Sequence, residues 1–442
     1  MDKIPRSLAS EDPDKSSLIG EVVRSPTSWK RNLAVLWIAQ VFTVAGFSFS
    51  FPFIPFFVQE LGIKGEGQAS LWAGLVQASM GLAMVATSPV WGLVADRYGR
   101  KINMLRASFG GAIFIFLSAF SSNVYQLMFF RFFTGVFSGT FGPAMALVAA
   151  VCPRNKLPFA MGILQSAFFT GTTIGPLFGG LIADAWGFQG AFLGTAVLLG
   201  IAGVIVMLFV REDFHPPANL SVFQRHAYVN LFHLLTSREL VPVLGTFFVV
   251  QFAPVISFVV LPIVIASIAT SNIGSVTGIA FGVTGLAGGL SSYGAGMLTK
   301  RVRMTRILTV ACVGMSIVIF PLFFVREMWL VYLFLACGGV FQGAMLSMGG
   351  GLVGLAVPSE VQGAAFGALQ SVTVSAFTLA PLTGGGIASQ FGPRWVFPAQ
   401  SVCLLGAALL AKILLAARVG KQAEVPRDAP KVEDNTESGC SS

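Results

Sequence analysis

The chain has 442 residues, of which 55% are hydrophobic, 41 are phenylalanine and only 11% are charged, which excludes an ordinary water-soluble domain. Its formal charge of +9 suggests a nucleic-acid partner, but the cations cluster between apolar runs and speak for membrane orientation instead.

A helix rises about 1.5 Å per residue and the hydrocarbon layer is about 30 Å thick, so each crossing takes roughly 20 apolar residues. Twelve runs qualify, near 33–58, 70–95, 103–120, 124–149, 159–183 and 190–210, then 241–268, 274–298, 305–325, 329–354, 363–388 and 394–416. A closed barrel would instead show segments of about ten residues alternating apolar and polar. The expectation is an all-α polytopic membrane protein with twelve transmembrane helices. With both termini cytoplasmic, 24 of the 28 Lys and Arg fall on inside ends and loops; only Lys64, Arg326 and Arg394 lie outside, and Arg131 lies within a run.

Residues 1–32 are polar and mixed in charge, with no apolar core leading to a small-residue cleavage site, and read as a cytoplasmic N-terminal segment rather than a signal peptide. The stretch GLVADRYGRK follows the second run. Basic residues anchor a turn in the headgroups, but its acid and two glycines need a further reason. Asp96 closes a helix, where a carboxylate can face the N-terminal N–H groups of another helix. In the fourth run Arg131 is the only deeply placed cation, which costs about 2.5–3.5 kcal/mol even on a lenient insertion scale. Snorkelling is a weak alternative at that depth.

The fifth run carries Gly162, Gly171, Gly175, Pro176, Gly179 and Gly180 in the pattern G-x8-G-x3-G-P-x2-G-G. Glycines at four-residue intervals let a partner helix approach closely, which is also the bland packing explanation. Shifting the chain by 205 positions lays 162–187 over 367–392, with Leu-Gln-Ser and Pro-x-x-Gly-Gly in one register. Span 5 therefore corresponds to span 11, and the chain divides into six-helix bundles at 33–210 and 241–418. The linker 211–240 holds His215, His226 and His233, read as solvated residues rather than metal ligands, and 419–442 reads as a disordered cytoplasmic tail.

Other signals fade. Residues 349–354 match G-x-G-x-x-G inside an apolar run with no βαβ context, so close packing explains them better than a dinucleotide. The five cysteines lack metal or disulfide spacing, and there is no catalytic constellation, cofactor motif or Walker loop. Mid-span polar residues that would face a central path are Gln40, Arg131, Gln165, Gln251, Gln342 and Gln370, with Phe47, Phe168, Phe252 and Phe341 as apolar walls.

The loop at Gly92, Asp96, Arg97, Gly99, Arg100 and Lys101 resembles the signature of the major facilitator superfamily, and the glycine pattern of span 5 resembles that of its drug:H+ antiporters. The segments WKRNL at 29–33 and PRNK at 153–156 are similar to a multidrug-resistance branch of that group. The resemblance implies a bacterial inner-membrane exporter, acting as a monomer and exchanging small molecules for protons by alternating access. It also implies that Asp96 latches onto the start of span 11, around residues 359–363, to hold the outward-open state, and that Arg131 takes part in coupling. The matching loop of the second half, GMLTKRVRMTR, lacks the acid. No acidic residue lies near the middle of a span, so proton coupling rests on the resemblance alone. Alternatives are a dedicated exporter of an anionic metabolite such as a siderophore, anchored by Arg131, and a membrane receptor that retains the fold.

Overall fold

The computed structural model describes residues 26–153, 156–212, 241–299, 301–356 and 362–415. The N-terminal segment before residue 26, the linker with its three histidines and the C-terminal tail lie outside them. Every span is helical. Span 1 comprises Pro26–Ser50, a 3-10 turn Phe51–Phe53 and Ile54–Glu60; span 2 is Glu66–Tyr98, span 3 Arg100–Ala119, and span 4 Val124–Phe137 plus Phe141–Val151. Spans 5 and 6 run together as Leu157–Phe209. In the second half, span 7 is Val241–Ile256 plus Leu261–Ala266, span 8 Ile273–Leu298, span 9 Met304–Ile319, span 10 Met328–Ala356, span 11 Gln362–Phe391 and span 12 Val396–Leu410 extended by Ala411–Leu415.

Among the described residues, eleven helices are long and apolar enough to cross a membrane, and one of them, Phe159–Phe209, holds two crossings. Fifty-one residues would extend about 75 Å, far more than one bilayer core. The reversal is made at Trp186 and Gly187, where the latter takes φ 76°, open to glycine without steric cost. The twelve expected crossings are therefore present. Breaks inside spans 1, 4 and 7 depart from the continuous runs that hydropathy suggests.

Lipid tails are as apolar as leucine, so helix association in a bilayer depends on close packing more than on the hydrophobic effect. Accordingly, small residues make the seams. Span 2 lies along span 11, and span 5 along span 8. A methyl group added to Gly74 would meet the Pro381 carbonyl, and one added to Gly278 would meet the Pro176 carbonyl. Likewise Gly180 abuts the Gly274 backbone while Gly385 abuts that of Ser70. Positions 176 and 381, and 180 and 385, are pairs in the 205-residue repeat, so the duplication read from sequence recurs as equivalent contacts.

Each bundle has its own apolar core. One links Leu244, Phe247, Phe281, Leu308, Met315 and Leu404 in the second half; another links Trp29, Leu36, Met104, Leu147, Leu164 and Val206 at the basic end of the first. That end carries Arg97 through Arg106 and Arg301 through Arg306. The opposite end, called the far end below, carries Lys64, Arg326 and Arg394.

Candidate transport path and gates

Towards the far end the bundles are sealed together. Phe49, Phe53, Phe56 and Ala183 of the first half are buried with Ile263 of span 7. The break at Phe51–Phe53 turns aromatic rings into this seam: Phe51 meets Phe258 edge-on at 4.9 Å, and Phe258 in turn lies 4.6 Å from Phe281 of span 8. Phe56 stacks on Phe188 at 5.0 Å. Such pairs contribute roughly 0.5–1.5 kcal/mol each beyond their buried area.

A polar lock borders the seal. Span 8 starts after Asn272, which sits at φ 51° and supplies no side-chain cap to its own helix. The cap comes from the other bundle. Asp184, near the end of span 5, accepts the Gly274 N–H at 2.8 Å and the Ser275 N–H at 2.7 Å, and the Ser275 hydroxyl donates to it as well. A helix start presents unpaired N–H groups and positive potential, so a carboxylate there is held by both. The repeat places Ser389 at the position equivalent to Asp184; its hydroxyl donates to the Gly386 carbonyl of its own helix. The lock is one-sided.

Towards the basic end the seams part. Along span 8, Gly289 still has Phe169 in ordinary contact, but Gly294 and Gly296 face open space, and Leu290 and Tyr293 are 69% and 71% exposed. Gly162 of span 5 and Gly92 of span 2 likewise have nothing where a methyl group would go. Among the described residues the two bundles thus meet closely at the far end and part at the basic end.

The signature loop sits at the rim of that opening. Gly99, at φ 98°, ends span 2 and starts span 3 without capping it. Glu212 supplies the cap from just beyond span 6: its carboxylate accepts the backbone N–H of Arg100 at 2.9 Å and of Lys101 at 2.7 Å. The exchange is reciprocal, because the Lys101 ammonium donates to the Met207 and Val210 carbonyls at the end of span 6, at 2.9 and 2.7 Å. Arg97 is exposed and lies over the Tyr98 ring. The Asp96 side chain and residues 357–361 lie outside the described part, so the expected latch between them does as well.

Arg131 is 1% exposed and enclosed within the first bundle. Its guanidinium lies 5.0 Å from the Phe192 ring, 3.5 Å from the Ser50 hydroxyl and 3.9 Å from the Met80 sulfur; its Nε has no partner. No carboxylate pairs with it among the described residues. Ser50 immediately precedes the turn that feeds the seal, so this buried charge is tied to the span 1 break.

Seven residues further along span 4, the helix breaks at Ser138–Thr140, with Gly139 at φ 106°. The carbonyls freed there are taken up by side chains. Arg106 donates to Val136 and Ser138, Trp91 donates to Val136 at 2.6 Å, and Arg106 lies 3.7 Å above the Trp91 ring. Gln40 closes the same break, donating to the Thr140 carbonyl at 3.1 Å and accepting from its hydroxyl. Gln40 is therefore a buried fastening between spans 1 and 4.

The remaining expected path residues divide. Gln251 is buried; Gln342, Phe168 and Phe252 are half-buried; Gln165 and Gln370, partners in the repeat, are exposed. Phe341 packs on Gly314 of span 9, and Phe47 packs within the first bundle. The span 5 motif serves two seams: Gly171, Gly175 and Gly179 abut span 1 at Val44, Ala45 and Phe49, while Pro176 and Gly180 abut span 8; Gly162 belongs to neither. Asp184, Glu212 and Arg106 were not singled out by sequence.

Comparison with known proteins agrees with this architecture. The family model described as Major Facilitator Superfamily matches residues 36–328. The protein named Multidrug resistance protein MdtG from Enterobacter lignolyticus is 31% identical over 409 residues, covering 92% of this chain and 97% of the relative. The Salmonella arizonae protein of the same name is 33% identical over 374 residues, covering 84% and 92%. Among solved structures, the human organic anion transporter MFSD10 (TETRAN) aligns with a TM-score of 0.64 at 16% identity, covering 87% of this chain and 99% of that one. A POT family transporter in complex with a thioalcohol-conjugated peptide aligns at 0.71 and 13%, covering 88% and 96%.

Proposed function

The chain belongs to the major facilitator superfamily, and from that premise we propose that it is a secondary exporter of amphiphilic organic compounds, a multidrug efflux protein of the bacterial inner membrane. The carrying observation is the arrangement of the two bundles, sealed at the far end and open at the basic end. The excess of Lys and Arg at the basic end marks it as cytoplasmic, with both termini on that side. The structure then corresponds to the inward-facing state, ready to take cargo from the cytoplasm or inner leaflet. Export follows when the basic end closes and the far end opens, by rocking of one bundle against the other.

In this scheme the far-end seal and the Asp184 lock hold the inward-facing state. Cargo bound between the bundles offsets the loss of that lock by touching both bundles at once, which is the differential affinity that any ligand-driven shift requires. The opposite state is held by Asp96 on the start of span 11, as the resemblance of the 92–101 loop implies. Arg131 steadies the span 1 turn from inside its own bundle. Enclosed as it is, Arg131 offers no anchor to an anionic cargo in this state, which favours broad amphiphile export over a dedicated anion exporter.

We take the exchange to be driven by protons entering from the far side, with the monomer as the working unit. The described spans carry acids only near their ends, so a helix-end carboxylate carries the proton. Efflux of a fluorescent amphiphilic dye from vesicles, with and without an imposed pH gradient, tests the proposal. Gradient-dependent efflux that Asp96→Asn abolishes is expected; efflux indifferent to the gradient would remove proton exchange, and no efflux of any amphiphile would remove the export assignment.

A further inference from the structure

At the far end of the second bundle a recess of about 620 Å³ is lined by Ser267 and Ile268 after span 7, Phe323, Phe324 and Arg326 after span 9, and Arg394 before span 12. Of the three cations at this end of the molecule, two line this one recess. Their guanidiniums are differently held. Arg394 is half-buried and fastened by one nitrogen, Nη1, which donates to the Val325 carbonyl at 2.9 Å and the Phe323 carbonyl at 3.4 Å. Its other donors remain for a ligand. Arg326 is exposed and has no hydrogen-bond or ion-pair partner among the described residues, the adjacent Glu327 included.

The surroundings set the depth. Phe324 in the lining is 66% exposed, and Trp329 and Trp395, in the segments that follow Arg326 and Arg394, are 63% and 49% exposed. Trp395 also packs edge-on against Phe323 at 5.2 Å. Exposed Trp side chains on a membrane protein mark the headgroup level of the bilayer. A recess with one fixed and one free guanidinium at that depth, walled by rings, matches a phosphodiester whose acyl chains run down the apolar face beside it. Guanidinium forks suit phosphate oxygens in particular.

We propose that this recess binds the phosphate of an anionic phospholipid from the far-end leaflet. The site lies on the second bundle, its arginines are not part of the Asp184 lock, and it does not depend on the export assignment. Native mass spectrometry of the purified full-length protein, titrated with phosphatidylglycerol or phosphatidylcholine of matched chains, tests it. Wild type retains phosphatidylglycerol preferentially. Arg326→Gln weakens that retention by about five-fold, as expected for one cation at a membrane surface, and Arg326→Gln/Arg394→Gln weakens it further. Lys64→Gln, which removes the third far-end cation, leaves it unchanged. Arg326 makes no hydrogen bond or ion pair among the described residues, so its replacement removes no internal contact, and an unchanged melting temperature of Arg326→Gln checks this. Equal retention of both lipids, or wild-type retention by Arg326→Gln, would overturn the proposal. Inorganic phosphate shielding Arg326 from an arginine-selective label as well as phosphatidylglycerol does would also overturn it, in favour of a free anion.

Discussion

Asp184 and Ser275 lie 91 residues apart and on opposite bundles, yet the Ser275 backbone N–H donates to the Asp184 carboxylate at 2.7 Å. A residue of one bundle thereby caps a helix of the other, so separating the bundles at the far end would break the contact. Asp184→Asn removes the charge that faces the helix start. The expected loss is about 1–2 kcal/mol from the far-end-closed state, a roughly five- to thirty-fold shift in population. Cysteine accessibility at position 271, beside the lock, should rise in Asp184→Asn; unchanged accessibility would show that the apolar seal suffices alone.

The seam between spans 5 and 8 makes opposite predictions for two glycines of one motif. A methyl group at Gly180 would run into the Gly274 backbone, whereas one at Gly162 meets nothing. Gly180→Ala should therefore prop the far end open and reduce efflux at least ten-fold. Gly162→Ala should insert, fold and leave the far-end seam intact. Equal defects in the two variants would mean that the motif acts through something other than this contact.

Much of this was legible in the sequence, and for identifiable reasons. Hydropathy marks crossings because each must span the same thickness, and the 205-residue repeat sets Pro176 and Pro381 at equivalent positions of spans 5 and 11, where their carbonyls meet Gly278 and Gly74. Asp184 was not legible. Its partners lie in the other bundle, and an acid at a helix end looks the same whether it faces water or a second helix. The break in span 4 was hidden because Val124–Val151 as a whole is apolar enough to read as one crossing, so the small residues at 138–140 pass for close-packing positions; the left-handed Gly139 and the convergence of Arg106, Trp91 and Gln40 reveal it. Gln40 read as a path residue because an amide in an apolar run suggests a ligand, while its actual partner is the Thr140 backbone at that break.

Arg131 offers a separation of stability from function. A buried cation without a carboxylate partner carries a desolvation cost of several kcal/mol, and an apolar side chain of similar length removes that cost. Arg131→Met should raise the melting temperature in detergent while lowering efflux. A variant both less stable and inactive would mark Arg131 as structural, and one fully active would remove it from coupling.

Glu212 ties the 97–101 turn to the end of span 6. Hydrogen bonds to a charged group contribute about 1.5–3 kcal/mol each, so Glu212→Ala should loosen the turn markedly. Protease cleavage within residues 97–101 should become faster in Glu212→Ala, with Glu212→Gln intermediate. Cleavage at the wild-type rate in both variants would show that the tie does not hold the turn.

The most direct test uses two pairs of spin labels in one protein, Trp186→Cys with Ser271→Cys across the far end and Phe159→Cys with Met297→Cys across the basic end. Without cargo, the first distance should be short and the second long. Under an imposed pH gradient with cargo present, the first should lengthen as the second shortens, and Asp184→Asn should move the cargo-free distances in the same sense. Distances that stay fixed, or a far end that opens while the basic end remains open, would contradict alternating access governed by this lock.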